Sequence, residues 1–531
     1  MIIPSKYQAA IFEWIKNGSG HGIVSATAGS GKTTTLVEAS KLLQTPDSIF
    51  LAFNAHIASE LKTRLGNRME ARTIHSLGLE ALKLAYPEIG RKQPQKSKYK
   101  DICKSLVDRF QQQNPSVEGA DELFDPLQSI VRFAMLTLCE LGSPEEFKHL
   151  TRSYQVEYPP QFAETLRDLA RQVMRFGERY VDEQGVYSFD DMVWLPAKHQ
   201  LRPRQQYRWI FVDEAQDLNK AQVEVALGAL APGGRMLVVG DRMQAIYGFA
   251  GADHRSMDNL KERLQATEMP LSICYRCPTS HIQLAKQLDP TIEPSPNAAT
   301  GILGAVPENM PLSRMVRDED LVLCRMTAPL VENIFELIRA GIPARIRGAD
   351  IGKGLVSMAE RAWEKARNPY WSISQFYQAL NNYEDSQIQL IDRRRIPEDE
   401  KDELIEELSD KIDVLKIIAS QREHLSLQDY TRYIESLFSD SRAGVVLSTV
   451  HKAKGLEANR VFILKPGLMP HPKAKTTTAM QAEQCIEFVA LTRSKHTLVF
   501  VGVSNRLPIP MPVVELVNGE LRSTGQPSLW A

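Results

Sequence analysis

The stretch from Ile23 to Leu36 reads IVSATAGSGKTTTL. An apolar, β-rich run from Gly22 to Ser25 enters a small-residue loop, Ala26-Thr27-Ala28-Gly29-Ser30-Gly31, and leaves through Lys32, Thr33 and Thr34 into an apolar-periodic helix. This order predicts a strand, a phosphate loop and a helix. Gly29 and Gly31 let backbone N–H groups turn inward and a polyphosphate approach closely, and the helix start adds unsatisfied donors and a positive dipole end. Lys32 is placed to reach β/γ phosphates and the Thr33 hydroxyl to hold Mg²⁺. Ala26 stands where the generic pattern has Gly.

Working outward, the chain of 531 residues is too long for one core, and its length predicts about three or four domains. With 43% hydrophobic and 24% charged residues it is of ordinary globular composition. Lys+Arg and Asp+Glu number 64 and 65, so any nucleic-acid contact comes from local patches rather than a globally basic surface. No apolar run reaches membrane-span length, and MIIPSKYQAA lacks a signal-peptide layout, so a cytoplasmic, nucleoid-associated protein without membrane contact is expected. Six cysteines make no disulfide framework. Cys274 and Cys277 form a C-x-x-C, but no second pair follows at zinc spacing.

Ala9 to Lys16 reads as a short helix before the loop. Strand Ser48–Phe53 and helix Asn54–Leu65 continue a strand–helix alternation, as a parallel α/β sheet requires. From about Leu79 to Glu183 the pattern turns helical, an all-α insertion. Near its start RKQPQKSKYK, Arg91 to Lys100, reads either as a track for a phosphate backbone or as a solvated basic loop. Strands return at Trp209–Val212, Met236–Val239 and Leu271–Cys274, closing a first α/β domain near Tyr275. A second set comprises Leu321–Leu323, Ala344–Arg347, Val445–Val450, Arg460–Leu464 and Thr497–Val503, interrupted by a charged helical stretch from Gly352 to Asp440. Within it Leu404, Leu408, Ile412 and Leu415 form an apolar stripe of the kind that fills a core. The tail after Ser504 shows no motif.

IFVDEAQD, Ile210 to Asp217, is an apolar strand ending in two carboxylates. Asp213 would hold Mg²⁺ through water, and Glu214 would orient or deprotonate an attacking water. In VVGDRMQAIYGFAGA, Val238 to Ala252, Gln244 sits just past a strand end, where an amide would sense a γ-phosphate. Tyr247 and Phe249 either stack on bases or plug the sheet end.

Taken in order, these motifs resemble those of superfamily 1 helicases of the UvrD/Rep type. The AxxGxGKT loop with Ala26 first is similar to that family's variant. The resemblance implies further roles. Gln8 would read adenine. AFNAHIASEL, Ala52 to Leu61, would place Phe53 and Asn54 on DNA, and TIHSL, Thr73 to Leu77, would add Thr73 and His75. SFDDM, Ser188 to Met192, resembles the acidic stretch before DEAQD. Gln244 takes the coupling position and Phe249 a stacking one, beside Tyr247. CYRCP supplies Tyr275 to stack on adenine and Arg276 to contact the γ-phosphate. STVHKAKGLE, Ser448 to Glu457, implies DNA contact by His451 and Lys452 and ribose contact by Glu457; VALTRSK makes Arg493 a second arginine finger. Departures from the pattern are Phe249 and Ala250 where Trp and Arg are frequent, Ala55 for a common lysine, Thr34 for a frequent Arg, and a short second insertion. That texture resembles the helicase core of the F-box DNA helicase and its bacterial or phage relatives.

The fold so implied is α/β: two RecA-like P-loop NTPase domains, each interrupted by a mainly helical insertion. Residues 1–80 and 184–275 would form the ATP-binding domain 1A and 81–183 the insertion 1B. Residues 276–351 and 441–531 would form domain 2A and 352–440 the insertion 2B. The implied activity is an ATP- and Mg²⁺-dependent DNA helicase or translocase on single-stranded DNA and single/double-strand junctions, 3′-to-5′, in repair, recombination or replication. The alternative is a nucleotide-gated, nucleic-acid-binding ATPase subunit with a protein partner in a repair or phage-defence complex.

Overall fold

The computed structural model describes residues 3–527 apart from 44, 46, 53, 67, 118, 155, 157, 247–255, 308–309, 367–369, 393–397, 422, 424, 439–443, 473, 475–476, 503–511 and 518–519. Phe53, Tyr247, Phe249 and Ala250 therefore lie outside the described residues. The chain divides into two compact units, 1–272 and 273–531. This division falls just before the limit expected near Tyr275, so Tyr275 and Arg276 both belong to the second unit.

In the first unit, α1 (Lys6–Asn17) precedes β1 (Gly22–Ala26), α2 (Lys32–Ser40), β2 (Ser48–Ala52), α3 (Ala55–Leu65), β3 (Glu70–Thr73) and α4 (Ile74–Ala85). A helical stretch follows: α5 (Lys98–Gln113), α6 (Phe124–Thr137), α7 (Pro144–Ser153), α8 (Ala163–Gln184) and α9 (Asp191–Lys198). Then come β4 (Tyr207–Val212), α10 (Lys220–Gly228), β5 (Leu230–Gly240), α11 (Ser256–Leu264) and β6 (Thr267–Leu271). The strands form one parallel sheet in the order β3-β2-β4-β5-β1-β6. Its two faces are covered by separate apolar clusters, around Leu36, Phe50, Leu61 and Phe211 on one side and Ile49, Leu77, Ile210 and Val223 on the other. Helices α5 to α8 pack their apolar sides on one another, with Leu106, Ile130, Leu166 and Val173 buried together. All carboxyl ends of a parallel sheet lie along one rim, where open α/β sheets take ligands.

The basic stretch at 91–100 does not present all of its charges. Lys98 and Tyr99 are buried, and both bind Asp191, at 2.6 Å from Nζ and 2.5 Å from the phenol oxygen. They join α5 to the SFDDM segment, whose Ser188 N–H also donates to Asp191. A buried ammonium needs a paired carboxylate, and that requirement outweighs solvation here.

The second unit begins with β7 (Ile273–Cys274), α12 (Thr279–Ala285), β8 (Glu293–Pro294), β9 (Ile302–Val306), β10 (Leu321–Cys324), α13 (Ala328–Arg339) and β11 (Ala344–Ile346). It continues through α14 (Ala349–Ala366), α15 (Ile373–Asp392), α16 (Glu398–Ser420) and α17 (Leu427–Leu437) to β12 (Val445–Thr449), β13 (Ala458–Leu464), α18 (Thr477–Leu491) and β14 (Ser494–Val501). A hairpin, β15 (Pro512–Val517) and β16 (Glu520–Pro527), ends it where the tail offered no motif. The sheet runs β11-β12-β10-β13-β14-β9-β15-β16, parallel except for the hairpin. Helices α14 to α17 share one continuous buried cluster with this sheet: Phe376, Ile412, Leu415 and Tyr430 join Val322 and Leu447. The apolar stripe at Leu408, Ile412 and Leu415 is thus core; Leu404 lies outside the residues whose side chains are described.

The run Leu271–Cys274 is not one strand. Leu271 ends β6 beside β1, and Ile273–Cys274 pairs instead with β8. No helix among the described residues is long and apolar enough to cross a membrane.

Candidate functional site

The loop from Thr27 to Gly31 is built by its glycines and its hydroxyls. Gly29 and Gly31 have φ of 66° and 78°, in the region that a Cβ penalises, and Gly31 caps α2. Ser30 donates to the Thr27 carbonyl at 2.8 Å, and Thr27 N–H reaches Leu271 of β6 at 3.2 Å. Ala26 and Ala28 are buried beneath the loop. Lys32 and Thr33 open α2 and meet the acids at the end of β4.

Lys32 Nζ lies 3.1 Å from Glu214 Oε2, and Thr33 Oγ1 donates to Asp213 Oδ2 at 2.5 Å. Burial alone would lower the Lys32 pKa, yet the charges of Glu214, Asp241 and Asp213 hold it above its ordinary value. Burial and the neighbouring Glu214 charge push Asp213 up to about 6. Glu214 itself stands at φ 53° and ψ 41°, a left-handed backbone that costs an L-residue roughly 1–2 kcal/mol. Its N–H donates to Asp213 Oδ1 at 2.9 Å, so the two carboxylates are set at different angles from one strand end.

A second layer escaped the sequence reading. Gln216, fully buried, donates to Glu214 Oε2 at 2.6 Å and accepts from Asp241 N–H at 3.0 Å. Asp241, at the end of β5, accepts from the Gln244 amide at 2.6 Å. A hydrogen-bonded chain thus runs from Lys32 through Glu214, Gln216 and Asp241 to Gln244. The signal was available: Asp241 follows the last residue of an apolar strand, as Asp213 does. Gly240 makes room for it, because a Cβ there would stand 2.9 Å from Gln216 Oε1.

Gln8 caps α1 reciprocally with Ser5 and donates to Thr35 of α2 at 3.0 Å, so its amide is engaged on both sides. Thr34 accepts from Arg64 at 2.9 Å. Along the same rim, β2 and β3 end in register, Ala52 beside Thr73. Asn54 caps α3 through Ile57 N–H, and Thr73 caps α4 through Ser76 N–H. His75, in the first turn of α4, has its pKa lowered by burial.

The remaining candidates lie on the second unit. Tyr275 is 49% exposed. Arg276 binds Glu457 at 2.6 Å and the Thr492 carbonyl at 3.2 Å, and Lys495 holds the other Glu457 oxygen at 2.6 Å. Burial would raise the Glu457 pKa, but these two cations lower it. Arg493 is buried and donates to the carbonyls of Val489 and Leu456 and to the Thr492 hydroxyl. Elsewhere in this unit a cavity of about 560 Å³ opens beyond Cys324 of β10, lined by Arg325, Thr327, Arg361, Lys411, His451 and His471. Lys452 follows His451 there, its N–H directed at Thr449. Burial, with the Arg325 charge, takes His451 down to about 4. Arg325 is aimed by a two-point pair with the buried Glu483, at 2.7 and 3.0 Å, and sequence reading had not singled it out.

The donor set of Thr33 hydroxyl and Asp213 carboxylate consists of hard oxygens at hydrogen-bond separation, which suits Mg²⁺ completed by water and phosphate oxygens.

Comparison with known proteins gives a consistent answer. Residues 8–265 match the UvrD/REP helicase N-terminal domain. The chain is 25% identical over 234 residues to F-box DNA helicase 1 of Gallus gallus, covering 43% of this chain and 22% of that protein. It is 26% identical over 287 residues to the ATP-dependent DNA helicase Rep of Escherichia coli, covering 50% and 40%. It is 25% identical over 305 residues to the ATP-dependent DNA helicase PcrA of Staphylococcus aureus, covering 52% and 39%. The chain therefore spans well under half the length of these relatives.

Proposed function

We propose that this protein, whose residues 8–265 match the UvrD/REP helicase N-terminal domain, is an ATP-dependent DNA helicase or translocase. In this reading it moves 3′-to-5′ on single-stranded DNA and at single/double-strand junctions during repair, recombination or replication. The observation that carries it is the four-residue cluster of Lys32, Thr33, Asp213 and Glu214 at adjoining strand and helix ends. Lys32 neutralises the β/γ phosphates. Thr33 and Asp213 would hold Mg²⁺, which would supply charge neutralisation on those oxygens. Glu214, released from Lys32 as phosphate takes its place, orients the attacking water and accepts its proton. Gln216, Asp241 and Gln244 relay the occupancy of that position along their hydrogen-bonded chain. Arg276 and Arg493 neutralise transition-state charge, Tyr275 stacks on adenine, Glu457 binds ribose and Gln8 reads the base edge. Ala26 to Thr34 cradle the phosphates.

For nucleic acid, Asn54, Thr73 and His75 are the proposed contacts among the described residues of the first unit and His451 and Lys452 those of the second, with Phe53, Tyr247 and Phe249 assigned from the sequence resemblance alone. Alternate gripping, driven by loss of the γ-phosphate, would advance the strand.

The bonds that Arg493 makes to backbone carbonyls favour keeping the second reading, a nucleotide-gated ATPase subunit whose finger is freed only by a partner. Hydrolysis measured without nucleic acid, with single-stranded DNA and with single-stranded RNA, at low salt, tests the proposal. Strong stimulation by DNA supports the motor, and tailed duplexes then give its polarity. Slow hydrolysis unchanged by either nucleic acid overturns it in favour of the gated subunit.

A further inference from the structure

The C-x-x-C at 274–277 has a geometry that the proposed function does not use. Cys274 ends β7 and Cys277 lies just before α12; both are buried free thiols. The Cys277 N–H points at Cys274 Sγ at 3.4 Å. Cys277 Sγ in turn stands 3.6 Å from the carbonyl oxygen of Thr492, the same oxygen that Arg276 holds. The pair therefore clasps the Tyr275–Arg276 turn and touches the residue before Arg493.

We propose that Cys274 and Cys277 are a peroxide-oxidisable dithiol whose reversible disulfide controls nucleotide turnover through the Tyr275–Arg276 turn. The control rests on the function proposed above; the dithiol does not. The adjoining Cys277 side chain, with the N–H groups of Cys277 and Arg276 and the Arg276 charge, outweighs burial and brings the Cys274 thiol down to about 7. Cys103 and Cys324, whose backbone hydrogen bonds do not offset burial, are pushed up to about 12 and about 11. Cys274 is thus the nucleophile and Cys277 the resolving thiol.

The Cys274 thiolate attacks one oxygen of hydrogen peroxide. The O–O bond breaks, a sulfenic acid forms, and hydroxide leaves to take up a proton as water. The Cys277 sulfur then attacks the Cys274 sulfur. The S–S bond forms, the S–O bond breaks, and a second water leaves with the Cys277 proton. The two sulfurs give up two electrons, and a dithiol reductant returns them. Closure removes the S–H that faces Thr492 and constrains the turn carrying Tyr275 and Arg276.

Arg276 lies between the cysteines, so trypsin separates them unless they are joined. In the full-length protein treated with hydrogen peroxide, the fragment ending at Arg276 and the fragment beginning at Cys277 should remain linked. Two of the six thiols should be lost, and ATP turnover should fall about tenfold or more. Dithiothreitol should restore both readouts, and Cys277→Ser should form no linkage and keep its turnover under peroxide. Unlinked fragments, linked fragments with unchanged turnover, or equal peroxide inhibition of Cys277→Ser overturn the inference. A reduced protein that hydrolyses no ATP while its fragments still link refutes the function reading and the control claim, and leaves the dithiol standing.

Discussion

Glu214 carries the sharpest consequence at the scale of single residues. It is held in a left-handed backbone conformation, pairs with Lys32 and receives the Gln216 amide, an arrangement costly to maintain unless the carboxylate is used. Glu214→Gln should keep nucleotide binding but lower turnover by about 10²–10⁴, the usual range for a lost general base. Nucleotide affinity and single-turnover hydrolysis check this, and wild-type hydrolysis would sink the assignment. Gln216→Ala should also reduce turnover, because Asp241 and Glu214 would lose their shared partner; Lys32 would keep its acids, so affinity should change less than rate. Lys32, Thr33, Asp213 and Glu214 were legible from sequence because each stands where a strand or helix ends, and chain position there fixes side-chain position. Gln216 was not, since it acts through other side chains and leaves no spacing of its own, whereas Asp241 carries the same strand-end signal as Asp213. The tucked state of Arg493 was equally unreadable: which carbonyls a guanidinium finds is decided by packing around α18.

Two elements show how close packing turns into measurable stability. On α4, Gly78 faces the Met192 carbonyl of α9, and a Cβ at that position would stand 1.9 Å from the oxygen. Gly78→Ala should therefore destabilise the first unit by about 1–3 kcal/mol, read by denaturant titration, because the obstacle is backbone and cannot step aside cheaply. In the second unit α12 is tied to β9 by buried His281, whose ring nitrogen meets the Ile302 carbonyl at 3.1 Å. Burial lowers its pKa from 6.5 to about 4. The folded chain thus binds this proton less tightly than the unfolded chain. The contribution is intact above 6.5 and is lost as pH falls toward 4, about 1.4 kcal/mol for each unit crossed. Melting temperatures between pH 7 and 4.5 should fall less steeply for His281→Asn than for the wild type. The strands that sequence reading found, β1, β2, β4, β5, β10, β11, β12, β13 and β14, are mostly apolar runs buried in the sheets. It missed β3, whose EART is polar, and β6, whose Pro270 breaks a strand pattern yet is tolerated at the sheet edge. It missed β9 too, where Gly304 lies against β15 so closely that a Cβ would meet Val514 at 2.2 Å.

At the scale of the whole molecule, the groups proposed to act on one nucleotide are divided between two compact units, the phosphate cradle on 1–272 and the arginines on 273–531. Binding and turnover should therefore separate. Arg493→Ala should leave ATP affinity nearly intact while lowering kcat by about 10³ or more, as for a removed arginine finger. Lys32→Ala should instead weaken binding itself. Nucleic acid adds a further separation, by ionic strength. Acidic and basic residues are nearly balanced, 65 against 64, so no long-range field draws in a polyanion, and attachment must come from local cations replacing counterions on individual phosphates. The DNA-stimulated part of hydrolysis should then decline steeply with salt, the apparent DNA affinity falling with a log–log slope of about −0.7 for each phosphate contacted on a single strand. Basal hydrolysis should change little over the same range. Lys452→Ala should make that slope shallower by about 0.7 if its ammonium contacts one phosphate. An unchanged slope with unchanged affinity would remove Lys452 from the DNA contact, whereas a parallel loss of basal and stimulated hydrolysis would assign it to the nucleotide instead.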